Sequence, residues 1–135
     1  ERSGPSAAPP IIIGLRLGQH DGYDRAVVDL KGEGPVGYRT AWVDTPREQA
    51  RGQVLQVGGT AYLSVNITGT TIPMTDEDLE DYYDVTQAQS TGAIEAIYDS
   101  SFEGNTHVVI GMNGQHPYRI FVREDPLRVV IDVQN

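Results

Sequence analysis

One pattern constrains the fold more than any other, and it occurs twice. Near the start the chain reads Asp24-Arg25-Ala26-Val27-Val28-Asp29-Leu30; near the end it reads Leu127-Arg128-Val129-Val130-Ile131-Asp132-Val133. In a strand, residues two apart share a face, so Arg25, Val27 and Asp29 point one way and Ala26, Val28 and Leu30 the other. The second copy divides in the same way: Arg128, Val130 and Asp132 oppose Val129, Ile131 and Val133. The wholly apolar face must be core. The face bearing Arg and Asp must be wet or paired, because either charge is costly to bury alone. A cross-strand ion pair, Arg25 with Asp132 or Arg128 with Asp29, is the expected arrangement, since Arg and carboxylate pair bidentately and hold register. A polar face for a ligand is the alternative.

The same period-two pattern recurs along the chain. Residues 11–17 and 25–30 read as a β-hairpin around a long polar loop, 18–24, with a break at 31–35 ending in Pro35. Residues 38–44 alternate and carry the lone Trp42, an expected core or interface anchor. Residues 54–57 and 61–67 flank Gly58-Gly59 and read as a second hairpin. In the latter run Ala61, Leu63, Val65 and Ile67 form one buried face. A one-residue slip would expose them at about 1.5–3 kcal/mol per large side chain, so this register is strongly specified. Residues 93–98 and 106–112 are further strands around a loop, 99–105, in which Phe102 is expected to tuck inward. Asn113-Gly114 signals a hairpin, and 118–122 should pair with 127–133 through the turn at Glu124-Asp125-Pro126.

Residues 69–91 break the pattern. Thr75 is a candidate N-cap, and the acids Asp76, Glu77, Asp78, Glu80 and Asp81 suit the start of one short helix within a long surface excursion. Eight or nine short strands with at most one helix predict an all-β protein, a sandwich or an open barrel. The strand–turn–strand units at the two ends suggest pseudo-symmetric hairpins. Residues 1–10, rich in Ser, Ala and Pro, read as a linker, and 11–135 as one domain.

Composition narrows the chemistry. The chain has 135 residues, no cysteine and a formal net charge of −9. It can bury a core without staples, and it can have neither disulfides nor a cysteine nucleophile. The negative charge argues against nucleic acid and against docking on anionic lipid by charge alone; it favours solubility and a cationic partner. No apolar run is long enough to span a membrane, and the start lacks a signal-peptide pattern, so any such peptide has been removed.

No nucleophile elbow, zincin helix or phosphate loop occurs. His20, His107 and His116 lack zinc-ligand spacing, and the acids at 76–81 lack the spaced ligands and glycine of a calcium loop. No catalytic residue, metal site or cofactor is therefore expected. A carboxylate pair for glycoside hydrolysis remains open, although nothing selects one. Asn66-Ile67-Thr68 is a glycosylation triplet that matters only in a glycosylating secretory pathway.

Three stretches together resemble a known family. They are residues 20–30, His20-Asp21-Gly22-Tyr23-Asp24-Arg25 onward; Phe102-Glu103-Gly104 with Val108-Val109-Ile110-Gly111-Met112; and Tyr118-Arg119-Ile120-Phe121-Val122 with residues 125–133. Over residues 11–133 the chain resembles the AMIN-like domain of actinobacterial secreted proteins and lipoproteins. Its closing Pro126-x-Arg128-x-x-x-Asp132-Val133 is similar to the AMIN domain found beside cell-wall amidases and in secretins. The resemblance implies a β-sandwich of two small antiparallel sheets outside the cytoplasm, lipid-anchored or secreted. It also implies a non-catalytic module with peptidoglycan as ligand, and it makes the Pro-rich start a spacer after a lipid-modified cysteine.

Three functions are open at this stage: a module binding cell-wall glycan or peptide, a protein-interaction module of an envelope complex, and a hydrolase. The candidate ligand-face residues are Arg25, Asp29, Arg128 and Asp132, with Tyr23 and Tyr118 as aromatic rings.

Overall fold

Alternating apolar residues drive the strands into two layers that share one core. A computed structural model describes residues 9–83, 85, 88–91 and 93–135. Among them are nine strands and one helix: β1 (Ile11–His20), β2 (Tyr23–Lys31), β3 (Gly37–Val43), β4 (Ala61–Thr68), α1 (Asp76–Tyr83), β5 (Ala88–Ser90), β6 (Ile94–Phe102), β7 (Asn105–Met112), β8 (Tyr118–Arg123) and β9 (Arg128–Gln134). They form a four-stranded sheet ordered β1-β2-β9-β8 and a five-stranded sheet ordered β3-β4-β7-β6-β5. Neighbours are antiparallel throughout. The expected all-β sandwich is what forms. Ile12, Val28, Val129 and Ile131 of the first sheet meet Leu63, Val65, Val108 and Ile110 of the second in one cluster.

The two copies of the opening pattern lie side by side. β2 and β9 are the central strands of the four-stranded sheet. Their register places Arg25 opposite Asp132, Val27 opposite Val130 and Asp29 opposite Arg128. A local two-fold axis therefore passes between the valines.

Several boundaries differ from the sequence expectation. The loop expected at 18–24 is a two-residue turn, Asp21-Gly22, with Gly22 at φ 84°. The loop expected at 99–105 is likewise strand up to Phe102, turned by Glu103 and Gly104 at φ 51° and 80°. The polar run there stays in the sheet because its side chains find partners. Ser101 Oγ bonds Tyr98 Oη and Thr106 Oγ1 at 2.9 and 2.8 Å. Phe102 is consequently 43% exposed, not tucked inward.

Residues 54–57 make no hairpin with β4, whose neighbours are β3 and β7. Val54 forms only an isolated bridge to Arg47. The segment crosses the outer face of the second sheet, where a Cβ on Gly111 would stand 2.0 Å from Gly58 O and 2.7 Å from Val57 Cγ1. Asn113-Gly114 does not close a hairpin either. β7 and β8 lie in different sheets, so this turn begins a crossover.

The helix expectation holds. Thr75 Oγ1 accepts Asp78 N at 3.1 Å, and Lys31 Nζ reaches Asp78 and Asp81 at 2.8 and 2.9 Å. These two acids raise the Lys31 ammonium pKa. Of the expected linker, only residues 9 and 10 are described. Pro10 is buried, and its carbonyl accepts Thr71 N at 2.9 Å.

Candidate functional site

The outer face of the four-stranded sheet is a grid of cross-strand rows, each fixed by register. The row at the Asp21-Gly22 end carries His20, Tyr23 and Gln134. Next come Gly18, Arg25, Asp132 and Arg119; then Arg16, Val27, Val130 and Phe121; and last Gly14, Asp29, Arg128 and Arg123. Five arginines and two aspartates thus occupy this face, a net +3. The whole chain is −9, which leaves −12 for everything else. The face bearing the candidate residues is cationic on an acidic molecule, an asymmetry that the net charge conceals.

Asp132 is the hub of the second row. It is 5% exposed and accepts Arg25 Nε and Nη2 at 2.7 and 3.0 Å and Arg119 Nε at 3.1 Å. The bonds from Arg25, helped by the one from Arg119, hold its carboxyl below the ordinary range against the opposing effect of burial. Of the two ion pairs open in the sequence, Arg25 with Asp132 forms. Arg128 with Asp29 does not, although the two are in register. Asp29 instead takes Arg16 Nε and Nη2 at 2.6 and 2.9 Å, while Arg128 Nη1 donates to Pro126 O at 2.6 Å. Gly14 makes room for this: a Cβ there would approach Asp29 Oδ2 to 3.1 Å.

Aromatic rings complete the face. His20 stacks on Tyr23 with centroids 4.9 Å apart and 8° between planes. The guanidinium of Arg25 lies 5.6 Å from the Tyr23 ring and 5.9 Å from Phe121. Arg119 and Arg123 approach Phe121 to 5.4 and 4.8 Å. Three arginines around one phenyl ring form a flat platform with ready hydrogen-bond donors. Beside it is a depression of about 390 Å³ lined by Asp21, Tyr23, Tyr118, Arg119, Asp132 and Gln134, among others.

The structure therefore brings Tyr23, Arg25, Asp132 and Tyr118 together at one end and sets Asp29 and Arg128 at the other. Tyr118 only rims the depression. Its ring points between the sheets, edge-on to Trp42 at 5.8 Å, and its hydroxyl meets Thr40 Oγ1 at 2.7 Å. Arg16, Arg119, Phe121 and Arg123 are further members of the face that the sequence reading missed. The signal for three of them was present, since Arg119, Phe121 and Arg123 alternate with Tyr118, Ile120 and Val122.

On the opposite sheet Ser64, His107 and Asp99 form a buried hydrogen-bonded line. Ser64 Oγ lies 2.9 Å from His107 Nε2, and His107 Nδ1 lies 2.8 Å from Asp99 Oδ2. That sequence of groups is the one acyl transfer uses, but catalysis also needs donors aimed at an oxyanion and room for a substrate. Here Ser64 and His107 are 8% and 6% exposed. The same Asp99 oxygen accepts Gln49 N at 2.8 Å, and the Gln49 side chain donates to Ser100 and to Asn105 O. The geometry fits a clasp that fastens the loop after β3 to the sheet.

His116 is half-buried. Its Nδ1 and Nε2 lie 2.9 Å from Gln134 O and Asn113 O respectively, so it ties the end of β9 to the turn after β7. Among the described residues no group of three or more His, Cys, Asp or Glu is placed to hold a metal.

A two-layer antiparallel sandwich with a paired Arg–Asp–aromatic face defines a β-sandwich module built around a surface rather than a cleft. The AMIN-like domain family model matches residues 10–135, and the chain belongs to that family. Compared with curated proteins, the sequence matches none. AMIN-like domains are cell-envelope-related modules, generally non-catalytic and associated with extracytoplasmic proteins. Among the described residues, no helix is long and apolar enough to cross a membrane.

Proposed function

We propose that this domain is a non-catalytic module that binds the cell wall through the outer face of its four-stranded sheet, with peptidoglycan as ligand. The observation that carries the reading is the platform of Tyr23, Arg25, Phe121 and Arg119 around Asp132, beside an open depression of about 390 Å³. Glycan and peptide recognition need flat apolar rings bordered by hydrogen-bonding groups, and this face supplies both. We place the domain outside the cytoplasm, tethered to the envelope by a lipid anchor upstream of the Pro-rich start. In sedimentation with purified peptidoglycan at low salt, the domain should pellet with the wall, and Tyr23→Ala or Arg119→Gln should return much of it to the supernatant. Wild-type protein that stays wholly in the supernatant overturns the reading.

A second reading, a protein-interaction module, draws on a different region. Ile72 and Phe102 are 52% and 43% exposed around a shared depression, with Met74 at 77% nearby in the chain. Apolar side chains so exposed together suit a protein partner.

A further inference from the structure

The four rows of the cationic face are not equivalent. In the second row a carboxylate sits between two arginines, Asp132 between Arg25 and Arg119. The last row carries Asp29, Arg128 and Arg123 in that order, so the arginines of β9 and β8 stand directly opposite each other. Like charges directly opposite on a sheet repel. The acid of this row does not relieve them, because Asp29 is paired with Arg16 across the other edge of β2 and makes no ion pair with either arginine. Among the described residues neither Arg123 nor Arg128 has a carboxylate within salt-bridge distance. Arg128 spends one nitrogen on Pro126 O and Arg123 lies over Phe121, which leaves most of their donors unused. Glu124 and Asp125, on the turn that joins the two strands, are exposed and form no salt bridge with either arginine.

We propose that Arg123 and Arg128 form a carboxylate-binding subsite that takes one free carboxylate of the wall's peptide, held between them as Asp132 is held between Arg25 and Arg119. This rests on the wall-binding reading above and names the chemistry of the contact. The planar guanidinium fork matches a carboxylate bidentately, and Phe121 gives the adjoining aliphatic part of a peptide an apolar floor. Along β9 the subsite stands four residues from Asp132, about 13 Å. The platform and the subsite can therefore engage one extended polymer at two points.

The test compares native peptidoglycan with the same material after carbodiimide amidation, which removes carboxylates and leaves phosphates and glycan intact. Wild-type protein should bind the amidated wall at least about tenfold more weakly. Arg123→Gln/Arg128→Gln should bind native wall as weakly as wild type binds amidated wall, and amidation should weaken it no further. Removing two opposed like charges should leave the melting temperature unchanged or raised, so that weak binding by the variant does not reflect misfolding. Equal wild-type binding to both walls overturns the subsite while leaving the wall-binding reading intact, and it would point to a phosphate or neutral ligand. Carboxylate sensitivity that survives in the double variant places the carboxylate elsewhere and also overturns it. Binding to neither wall removes the reading on which the subsite rests.

Discussion

At the scale of single residues, the two aspartates of the repeated pattern differ because their neighbours differ. Asp132 is almost fully buried with three charged hydrogen bonds, whereas Asp29 bonds Arg16, whose side chain is 61% exposed. Asp132→Asn should cost about 2 kcal/mol at neutral pH. Asp29→Asn should cost under about 1 kcal/mol, the usual worth of an exposed pair. The pKa of Asp132 is depressed in the folded state. Its pair therefore contributes fully above the unfolded carboxyl value, about 3.9, and that share is lost as pH falls through the folded value. Urea unfolding at neutral pH and through the acid range should show Asp132→Asn lacking this part of the acid dependence. Equal costs for the two substitutions would contradict the assignment of Asp132 as the hub.

At the scale of elements, polar groups inside the sandwich hold the irregular segments to the sheets. Tyr82 and Tyr98 hydroxyls lie 2.9 Å apart, Tyr98 continues to Ser101 at 2.9 Å, and Thr106 links Ser101 to Thr70 at 2.8 Å each. This run of hydroxyls fastens α1 and the segment after β4 to the second sheet. Burial, the main cause, pushes the Tyr98 phenol well above its ordinary pKa, so it stays protonated and able to donate. On the other face of that sheet the 54–59 segment approaches β7 so closely that only glycine fits at 111. The obstacle is the Gly58 carbonyl, which is backbone and cannot rotate away. Gly111→Ala should therefore destabilise by about 1–3 kcal/mol and speed amide exchange in residues 54–60, with the four-stranded sheet unaffected. Unchanged exchange in that segment would show that it does not depend on the contact.

At the scale of the whole molecule, the buried apolar residues of both sheets join in one core cluster among the described residues. The domain should unfold in a single transition, with near-ultraviolet signal from Trp42 and Tyr118 at the sheet-to-sheet seam coinciding with far-ultraviolet loss of β-structure. Separate midpoints would mean that the sheets come apart as independent units. Charge is also organised at this scale. A +3 face on a −9 chain makes the molecule polar in the electrostatic sense, and it orients that face toward an anionic surface that the net charge would repel.

Alternation determined the all-β class and the faces of the strands, and Thr75 with the acids after it determined the capped helix, because period-two burial and capping are local properties of the chain. Alternation also placed Arg25 and Asp132 on the polar faces of their strands, and the residues of three particular stretches carried the family. Sheet order was not local: whether Arg128 reaches Asp29 depended on β1 lying beside β2 and delivering Arg16 first. Polar runs such as 99–101 read as loop because their hydrogen-bond partners, His107 and Thr106, are brought beside them only by β7. Likewise Gly58-Gly59 and Asn113-Gly114 announced turns without saying which strands they would join. Only the tertiary structure decided which strands became neighbours. It thereby decided which arginines on the repeated pattern were paired and which were left facing one another.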